Sequence, residues 1–393
     1  MTVTIVLPLI HRRISSIFPC WFDKVNLEEL LAPLRDGDDF PPLDEDCCLV
    51  CGHPLSPYGT RYNEIEPRQK KYCPQCGKHA TPSFNHGSRV PEWVYRHVLL
   101  LSALNYKDRD IIRDIELKSM EDKLKPHTIN VPTIYRIRAS VNAILEEAEP
   151  IILRYLSKEP QLIKGTWLMD VRTNYLPFHR LSPLGRRLDK SNGHPKMHES
   201  AVMIQGTDYA LSGELSADQT RFSALSALAL ALDRSGARPA PLLVDAASGL
   251  NKAVMYLLAP EEAKIVNKSD PDYWKDPIMN PVERWFSDYG QRDNKRHCQH
   301  RRLWTQQSSL NIYRWYRNFI WPRNRRRLNG LPQPGSGRTP AELLGLALPS
   351  EINNNLDFLP LVKFSYRLTQ YVKSEIARVR AQELERRIGI FSP

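Results

Sequence analysis

Two short apolar runs in the middle of the chain each end at an aspartate. Residues 166–169 precede Asp170 and residues 241–244 precede Asp245, with 74 residues between the two acids. A short continuous apolar run is typical of a buried strand. Both acids are therefore expected at the rim of a sheet, where open α/β sheets bind ligands. A third acid, Glu283, follows in a segment of helical character, with 37 residues between it and Asp245.

Further periodic segments surround these acids. The pattern predicts strands over 162–170, 201–205, 210–215 and 241–245, a helix over 220–232, and a helix over 281–290 that carries Glu283. The element order is β-β-β-α-β, with aspartates on the first and fourth strands. This order indicates an α/β protein with a ribonuclease-H-like mixed sheet.

The segment before this core is predicted to be helical. Apolar residues at helical spacing predict one helix opened by Pro91, a second over 107–115, and a third over 133–149 that Pro150 ends or kinks. Three helices in this order are typical of a helix-turn-helix DNA-binding unit. Arg136 and Arg138 are expected on the outward side of the third helix. A plain helical bundle is the alternative interpretation.

Two C-x-x-C-G turns form the most specific local motif. Cys48 and Cys51 make the first turn, and Cys73 and Cys76 make the second after 21 intervening residues. Four thiolates at this spacing complete the closed tetrahedral site of a structural zinc, and so small a segment needs a cross-link to fold. We therefore expect a zinc ribbon over residues 47–82.

The cysteine count bears on the ligand choice and on the cellular compartment. Cys47 is an alternative ligand, but its spacing to Cys51 breaks the turn pattern, so Cys48 is preferred. Seven cysteines, an odd number, do not suggest a disulfide framework, and a reducing cytoplasm fits better. No apolar run approaches the roughly 20 residues of a membrane span. The arginines at 12 and 13 follow the apolar opening, which is the wrong order for a signal peptide.

Positive charge is concentrated in one stretch. The whole chain carries a formal charge of +11, and residues 284–327 hold twelve Lys/Arg against two acids, which gives +10. Such a concentration suits a phosphate backbone, whereas a solvated basic face is the alternative. Aromatic residues interleave with these arginines and favour nucleic acid: Trp285, Tyr289, Trp304, Tyr313, Trp315, Tyr316 and Trp321.

Several segments together resemble insertion-sequence DDE transposases, relatives of the retroviral integrases. The matching pieces are Leu-Met-Asp at 168–170, Leu-Val-Asp at 243–245 and Asn-x-x-Glu-Arg at 280–284. The ending from 313 to 342, with Gly-Arg-Thr-Pro-Ala-Glu at 337–342, also resembles such enzymes. The resemblance covers roughly residues 48–345. Gly290 stands where many relatives have Lys or Arg, a role that Arg292 could take.

The resemblance implies a DNA transposase that nicks 3′ ends by hydrolysis and transfers strands. Two Mg²⁺ or Mn²⁺ ions would be held by Asp170, Asp245 and Glu283. The partners would be double-stranded DNA at the element ends and target, bound by a homo-oligomer in a prokaryotic cytoplasm, at the nucleoid. The side chains expected to contact DNA are Arg136, Arg138, Arg186, Arg187, Arg284, Arg292, Lys295, Arg296, Arg301, Arg302 and Arg325.

The candidate carboxylates have rivals. Asp208 also follows a strand-like run, but it lies in a predicted hairpin turn, where Asp is common. Glu261 and Glu262 are nearer to Asp245 than Glu283 is. Glu283 falls three residues after Asn280, which is close to a capping-box pattern.

The chain therefore divides into five predicted segments. They are an acidic segment 1–46, the zinc ribbon 47–82, the helical DNA-binding unit 90–158, the catalytic core 162–345 and a helical tail 346–393. The competing functional class is a non-catalytic DNA-binding protein, such as a domesticated or decayed transposase. A nuclease that cuts without joining is a third reading.

Overall fold

The structure is a computed structural model. It describes residues 25–37, 48, 53–61, 68–77, 79–80, 90–104, 106–121, 128–175, 196–216, 220–245, 248–268, 278–294, 303–322, 327–328, 331–332, 337–353 and 357–390. The chain divides into two compact units. One comprises residues 1–91 with 362–393, and the other comprises residues 92–361.

The first unit contains a short helix and a small sheet. Helix α1 (Leu27–Asp36) is capped by Asn26, whose side chain accepts a hydrogen bond from the Glu29 backbone N–H at 3.3 Å. Strands β1 (Ser56–Arg61), β2 (Arg68–Tyr72) and β3 (His79–Ala80) form an antiparallel sheet in the order β1-β2-β3.

The second unit begins with the three predicted helices. They are α2 (Glu92–Ala103), α3 (Asp108–Glu121) and α4 (Val131–Tyr155). Asn130 caps α4 by accepting from the Thr133 N–H at 3.0 Å. Pro150 was expected to end or kink α4, but the helix continues to Tyr155. Residues 151–153 are buried, and their packing stabilises the last turn.

A five-stranded mixed sheet forms the centre of this unit. Its strands are β4 (Trp167–Tyr175), β5 (Lys196–Ile204), β6 (Tyr209–Ser216), β7 (Leu242–Asp245) and β8 (Ala263–Val266). The order across the sheet is β6-β5-β4-β7-β8. The β4–β5 and β5–β6 pairs are antiparallel, and the β4–β7 and β7–β8 pairs are parallel. The predicted ribonuclease-H-like α/β core is confirmed.

The first core strand differs from its predicted bounds. Residues 162–170 were expected to form it, but Pro160–Ile163 is a short helix, α5, and the strand runs from Trp167 to Tyr175. The strand continues past Asp170 because residues 171–175 pair with residues 196–200 of β5. Polar residues thus extend the strand through backbone pairing, which an apolar run does not reveal.

Helices cover both faces of the sheet. The elements that complete the unit are α6 (Thr220–Ser235), α7 (Ser248–Leu257), a 3₁₀ turn (Pro260–Glu262), α8 (Asn280–Asn294), α9 (Leu303–Phe319), β9 (Arg327–Leu328), β10 (Leu331–Pro332), α10 (Pro340–Leu343), α11 (Ser350–Asn353) and the start of α12 (Leu359–Ile390). Trp285 and Tyr313, from α8 and α9, join the buried cluster with Leu168 and Ala201 on one face. Ser200 faces the other way, and its hydroxyl bonds Ser223 of α6 at 2.7 Å.

A buried charged cluster joins α4 to the sheet. Both carboxylate oxygens of Glu149 accept from Arg314, at 2.6 and 2.8 Å. Arg234 Nε lies 3.2 Å from Glu149 Oε2, and the Tyr209 hydroxyl donates to Oε1 at 2.9 Å. Glu149, Arg314 and Tyr209 are fully buried. The long helix is therefore part of the same compact unit as the sheet. The division of the sequence into a helical segment 90–158 and a core 162–345 stays a prediction.

Candidate active site

Asp170 and Asp245 stand at equivalent points on two neighbouring parallel strands. The register pairs Trp167 with Leu242 and Met169 with Val244, so the next residues in line are the two aspartates. The β4–β7 pairing stops just before them, and β7 itself ends at Asp245. Asp170 thus lies at the rim of the parallel half of the sheet, although its own strand continues beyond it.

Glu283 is brought to the same rim by α8. Val282, Trp285, Phe286 and Tyr289 form the buried side of this helix and pack on the sheet, at the spacing of one helical face. The first helical carbonyl is that of Met279, which accepts from Val282 and Glu283, each at 3.1 Å. Asn280 therefore lies inside the first turn and is not the cap, contrary to the capping-box alternative.

One side chain contacts all three acids. Lys268 Nζ lies 2.9 Å from Asp170 Oδ2, 3.4 Å from Asp245 Oδ2 and 2.9 Å from Glu283 Oε1. Sequence reasoning missed this lysine. It follows β8 by two residues, and β8 runs parallel to β7, so the two strands end at the same rim. A basic residue just past the end of a strand could have pointed to Lys268. However, β8 is partly exposed and does not read as a buried strand, so its pairing with β7 was not predicted.

The site holds partly desolvated charges. Burial raises the pKa of Asp170, although the hydrogen bond from Lys268 and the Val171 N–H act in the opposite direction. Burial acts to lower the pKa of Lys268, but its hydrogen bonds to Asp170 and Glu283 outweigh this effect, so its pKa is raised. Lys268 is thus a full cation at neutral pH, with three carboxylates around it.

By donor type these three carboxylates suit a divalent metal, whereas the group of described residues whose ligand atoms already lie within 4.8 Å of one another is Cys48, Cys73 and Cys76. The ammonium of Lys268 stands in for a small cation, since it collects one oxygen from each of three carboxylates on β4, β7 and α8. Carboxylate oxygens are the ligands that Mg²⁺ and Mn²⁺ accept in proteins.

The rival carboxylates lie elsewhere. Asp208 is in the turn between β5 and β6 with a φ of 59°. Since Ile204 pairs with Trp167, this turn is at the opposite end of β4 from the acidic centre. Glu262 forms an ion pair with Arg238 and accepts from the Ala259 N–H at 2.7 Å. The hydrogen bond from Arg238 lowers the pKa of Glu262 to about 2. Its neighbour Glu261 is exposed within the 3₁₀ turn.

Arg172 fixes the helix that carries Glu283. Its guanidinium pairs with Glu199 of β5 at 2.8 Å and donates to the backbone carbonyl of Phe286. The same group lies 5.5 Å from the centre of the Phe286 ring. Strands β4 and β5 are thereby bonded to α8 one turn beyond Glu283.

The prediction that Arg138 faces outward on the third helix was wrong. It is buried, pairs with Asp108 at 2.7 Å and donates to the Ser102 hydroxyl at 2.8 Å. A guanidinium can be buried when a carboxylate and a hydroxyl take its hydrogen bonds, so α4 turns this face inward. Arg136 and Arg284 are exposed. Outside the described residues lie Arg186, Arg187, Lys295, Arg296, Arg301, Arg302 and Arg325, and the side chain of Arg292 is likewise not described.

Four of the seven interleaved aromatic residues form core and not a stacking surface. Trp285, Tyr289, Tyr313 and Trp315 are each at most 1% exposed. Arg314 and Arg317, which alternate with them, pair with Glu149 and Asp288. The prediction that these four aromatic residues serve nucleic-acid binding was wrong. An alternation of aromatic residues and arginines also occurs in a helix that packs its aromatic side chains in the core and pairs its arginines with acids.

Three of the four predicted zinc ligands meet in the first unit. The thiols of Cys48, Cys73 and Cys76 lie within 4.8 Å of one another, and Cys48 Sγ is 3.6 Å from Cys76 Sγ. This cluster could bind a metal such as zinc. Its predicted fourth member, Cys51, lies outside the described residues.

Comparisons with known proteins add little to this geometry. No protein-family model matches the chain, and no curated protein matches it. Among solved structures, the chain is similar to one from the intasome of simian T-cell lymphotropic virus in complex with PP2A regulatory subunit B56 gamma. The identity is 16% and the TM-score 0.21, over 44% of this chain and 59% of that chain. The fold assignment rests on the strand order given above and not on this likeness.

Among the helices that the structure describes, none combines the length and the apolar character that crossing a bilayer requires.

Proposed function

We propose that this protein is a metal-dependent DNA strand transferase of the DDE transposase kind. The observation that carries the proposal is the convergence of Asp170, Asp245 and Glu283 on a single cation at the sheet rim. These acids come from two parallel strands and one helix, and each was predicted as a ligand from sequence. The distant likeness to a retroviral intasome carries none of this weight.

The chemistry needs two divalent ions, which activate a hydroxyl nucleophile and stabilise the leaving oxygen of a phosphodiester. Asp170 would be the central ligand, since it is the most buried of the three side chains, at 9% exposure against 28% and 36%. Asp245 and Glu283 would each complete one metal position. The packing of α8 and the Arg172 bond to Phe286 hold the helix that carries Glu283, which supports a role for Glu283 as a fixed ligand.

DNA binding and the ribbon complete the proposal. Exposed Arg136 and Arg284 would contact phosphates, together with the basic residues of 292–302 and 325 and with Arg186 and Arg187. Zinc held by Cys48, Cys51, Cys73 and Cys76 would order the ribbon. The ribbon and the three helices would recognise the ends of the element. Two ends must be joined, so the working form would be a homo-oligomer.

The test uses Asp245→Asn, with Asp208→Asn as the matched control. Asn tolerates the left-handed conformation at position 208, so the control removes the same charge without strain. The substrate is the DNA that flanks the gene on each side, labelled and incubated with plasmid and Mn²⁺. We expect Asp245→Asn to lose joined product at least about 100-fold, or about 2.7 kcal/mol of transition-state stabilisation. Gel retardation of the same DNA should be unchanged in both variants.

Other outcomes assign the other functions. If the parent and Asp245→Asn both retard DNA and neither joins strands, the protein is a non-catalytic DNA-binding protein. If the parent cuts DNA in Mn²⁺ but yields no joined strand, it is a nuclease. If Asp208→Asn loses joining and Asp245→Asn retains it, the second metal ligand is wrong.

A further inference from the structure

Lys268 occupies the centre of the acidic site, at the position of a metal. Its ammonium is within 3.4 Å of an oxygen from each of the three carboxylates. It reaches this point from the end of β8, the strand at the edge of the parallel half of the sheet. The contact thus joins the edge strand to the two inner strands and to α8.

The three carboxylates need a positive charge when no metal is bound. Asp170 and Asp245 are adjacent in register, and Glu283 approaches the same point. Like charges at such separations repel strongly where water is partly excluded. Lys268 is itself only 23% exposed, so it neutralises the site from within and not as a solvated surface group.

A divalent ion and this ammonium cannot share the position. Mg²⁺ and Mn²⁺ require carboxylate oxygens at about 2.0–2.2 Å, and the oxygens that would supply them are those that Lys268 contacts. An ammonium left among them would lie against a doubly charged ion, and the repulsion would be large. The four-carbon stem of lysine allows the head group to swing away while the backbone of β8 stays in place.

We propose that Lys268 is the built-in counter-ion of the acidic centre, and that divalent metal ions bind only by displacing its ammonium. This inference rests on the proposed function, because it takes the three acids to be metal ligands. It assigns to Lys268 a positioning role: the residue keeps the acids gathered in the metal-free protein and weakens metal binding. Metal affinity is then set partly by a residue that is not a ligand.

The test compares Lys268→Met with Lys264→Met in the full-length, zinc-loaded protein. Lys264 lies on the same strand, is exposed, and pairs in register with Leu243, away from the acids. Mn²⁺ binding is measured by titration calorimetry without DNA. We expect Lys268→Met to bind Mn²⁺ at least about tenfold more tightly than the parent, a change of about 1.4 kcal/mol. Lys264→Met should stay within about threefold of the parent, since an exposed charge is screened. Lys268→Arg, which keeps the cation, should also stay close to the parent.

Thermal unfolding provides the second readout. In zinc-loaded protein without Mn²⁺, Lys268→Met should unfold at a lower temperature than the parent and Lys264→Met, because three acids lose their counter-ion. Saturating Mn²⁺ should raise its midpoint by more than it raises that of the parent. If Lys268→Met does not fold without Mn²⁺, it should refold on addition of Mn²⁺, and a variant that stays unfolded in Mn²⁺ overturns the proposal.

The failures of the two proposals can be told apart. If Asp245→Asn weakens Mn²⁺ binding but Lys268→Met binds like the parent, the counter-ion role is wrong and the metal centre stands. If Lys268→Met binds more weakly than the parent, the lysine supports the metal and does not oppose it, and the inference fails. If Asp245→Asn binds Mn²⁺ as well as the parent does, the acids are not the metal site and both proposals fall.

Discussion

Replacing Glu149 by Gln tests the buried cluster that joins α4 to the sheet. Glu149 lies between two arginines and a tyrosine, with Arg314 bonded to both of its oxygens at 2.6 and 2.8 Å. Gln has nearly the same shape but no charge. The variant would therefore leave the guanidinium groups of Arg314 and Arg234 buried with no carboxylate between them. Arg314 would keep its bond to the Ala210 carbonyl at 3.1 Å.

The loss of folding stability in Glu149→Gln follows from the burial of Glu149 and its two arginine partners. Glu149 and Arg314 are fully buried, and the Arg234 side chain is 5% exposed. Breaking a buried ion pair by removing one partner costs roughly 3–5 kcal/mol, since the remaining charge has no solvent to stabilise it. For a unit of this size, such a loss lowers the Tm by at least about 6 °C. The site itself is untouched, so Mn²⁺ binding by the folded variant should match that of the parent.

Denaturant unfolding, followed by the fluorescence of the buried tryptophans, measures this cost. The matched control is Glu261→Gln, which makes the same change at an exposed position and should shift stability by less than about 0.5 kcal/mol. A loss below about 1 kcal/mol in Glu149→Gln would contradict the reasoning. It would mean that the two arginines do not depend on this carboxylate.

Two further predictions concern the metal ribbon and an exposed ion pair. Serine substitution at any one of Cys48, Cys51, Cys73 and Cys76 should abolish stoichiometric zinc binding, measured with a chromogenic chelator. Cys47→Ser should keep the zinc. Loss of zinc in Cys47→Ser and its retention in Cys48→Ser would show that Cys47, and not Cys48, is the ligand. Arg238 holds the pKa of Glu262 at about 2, below the ordinary 4.5. The stabilisation from this pair is thus present above pH 4.5 and is lost as the pH falls towards about 2. Arg238→Gln should raise the pKa of the Glu262 carboxyl, followed by NMR, towards 4.5, and the remaining Ala259 N–H bond should hold it below that value. An unchanged midpoint would show that the arginine is not the main cause.

The acidic centre was predictable because strand burial and strand order are both visible in the sequence. Residues 167–169 and 242–244 are buried apolar runs, and each delivers an aspartate to the same rim. The apolar spacing of Val282, Trp285, Phe286 and Tyr289 likewise predicts a packed helix, which carries Glu283 towards that rim. The positions of the three carboxylates thus follow from short local patterns.

Other features depend on three-dimensional packing that local patterns do not contain. Lys268 was missed because β8 has two exposed residues among four and gives little apolar signal. Arg138 was assigned to DNA, and Arg314 was counted in the basic stretch, because charge counting does not distinguish a buried, paired arginine from an exposed one. The partners that bury these arginines, Asp108 and Glu149, lie 30 and 165 residues away in the chain.

The most direct test of the account is a crystal structure of the full chain soaked in Mn²⁺, with anomalous scattering measured at the manganese edge. The account predicts two anomalous peaks, one within about 2.3 Å of oxygens of Asp170 and Asp245 and one within about 2.3 Å of oxygens of Asp170 and Glu283, with the Lys268 ammonium moved out of the centre. A structure with no manganese at these carboxylates, and with Lys268 still bonded to all three, would contradict both the metal centre and the strand-transfer function built on it.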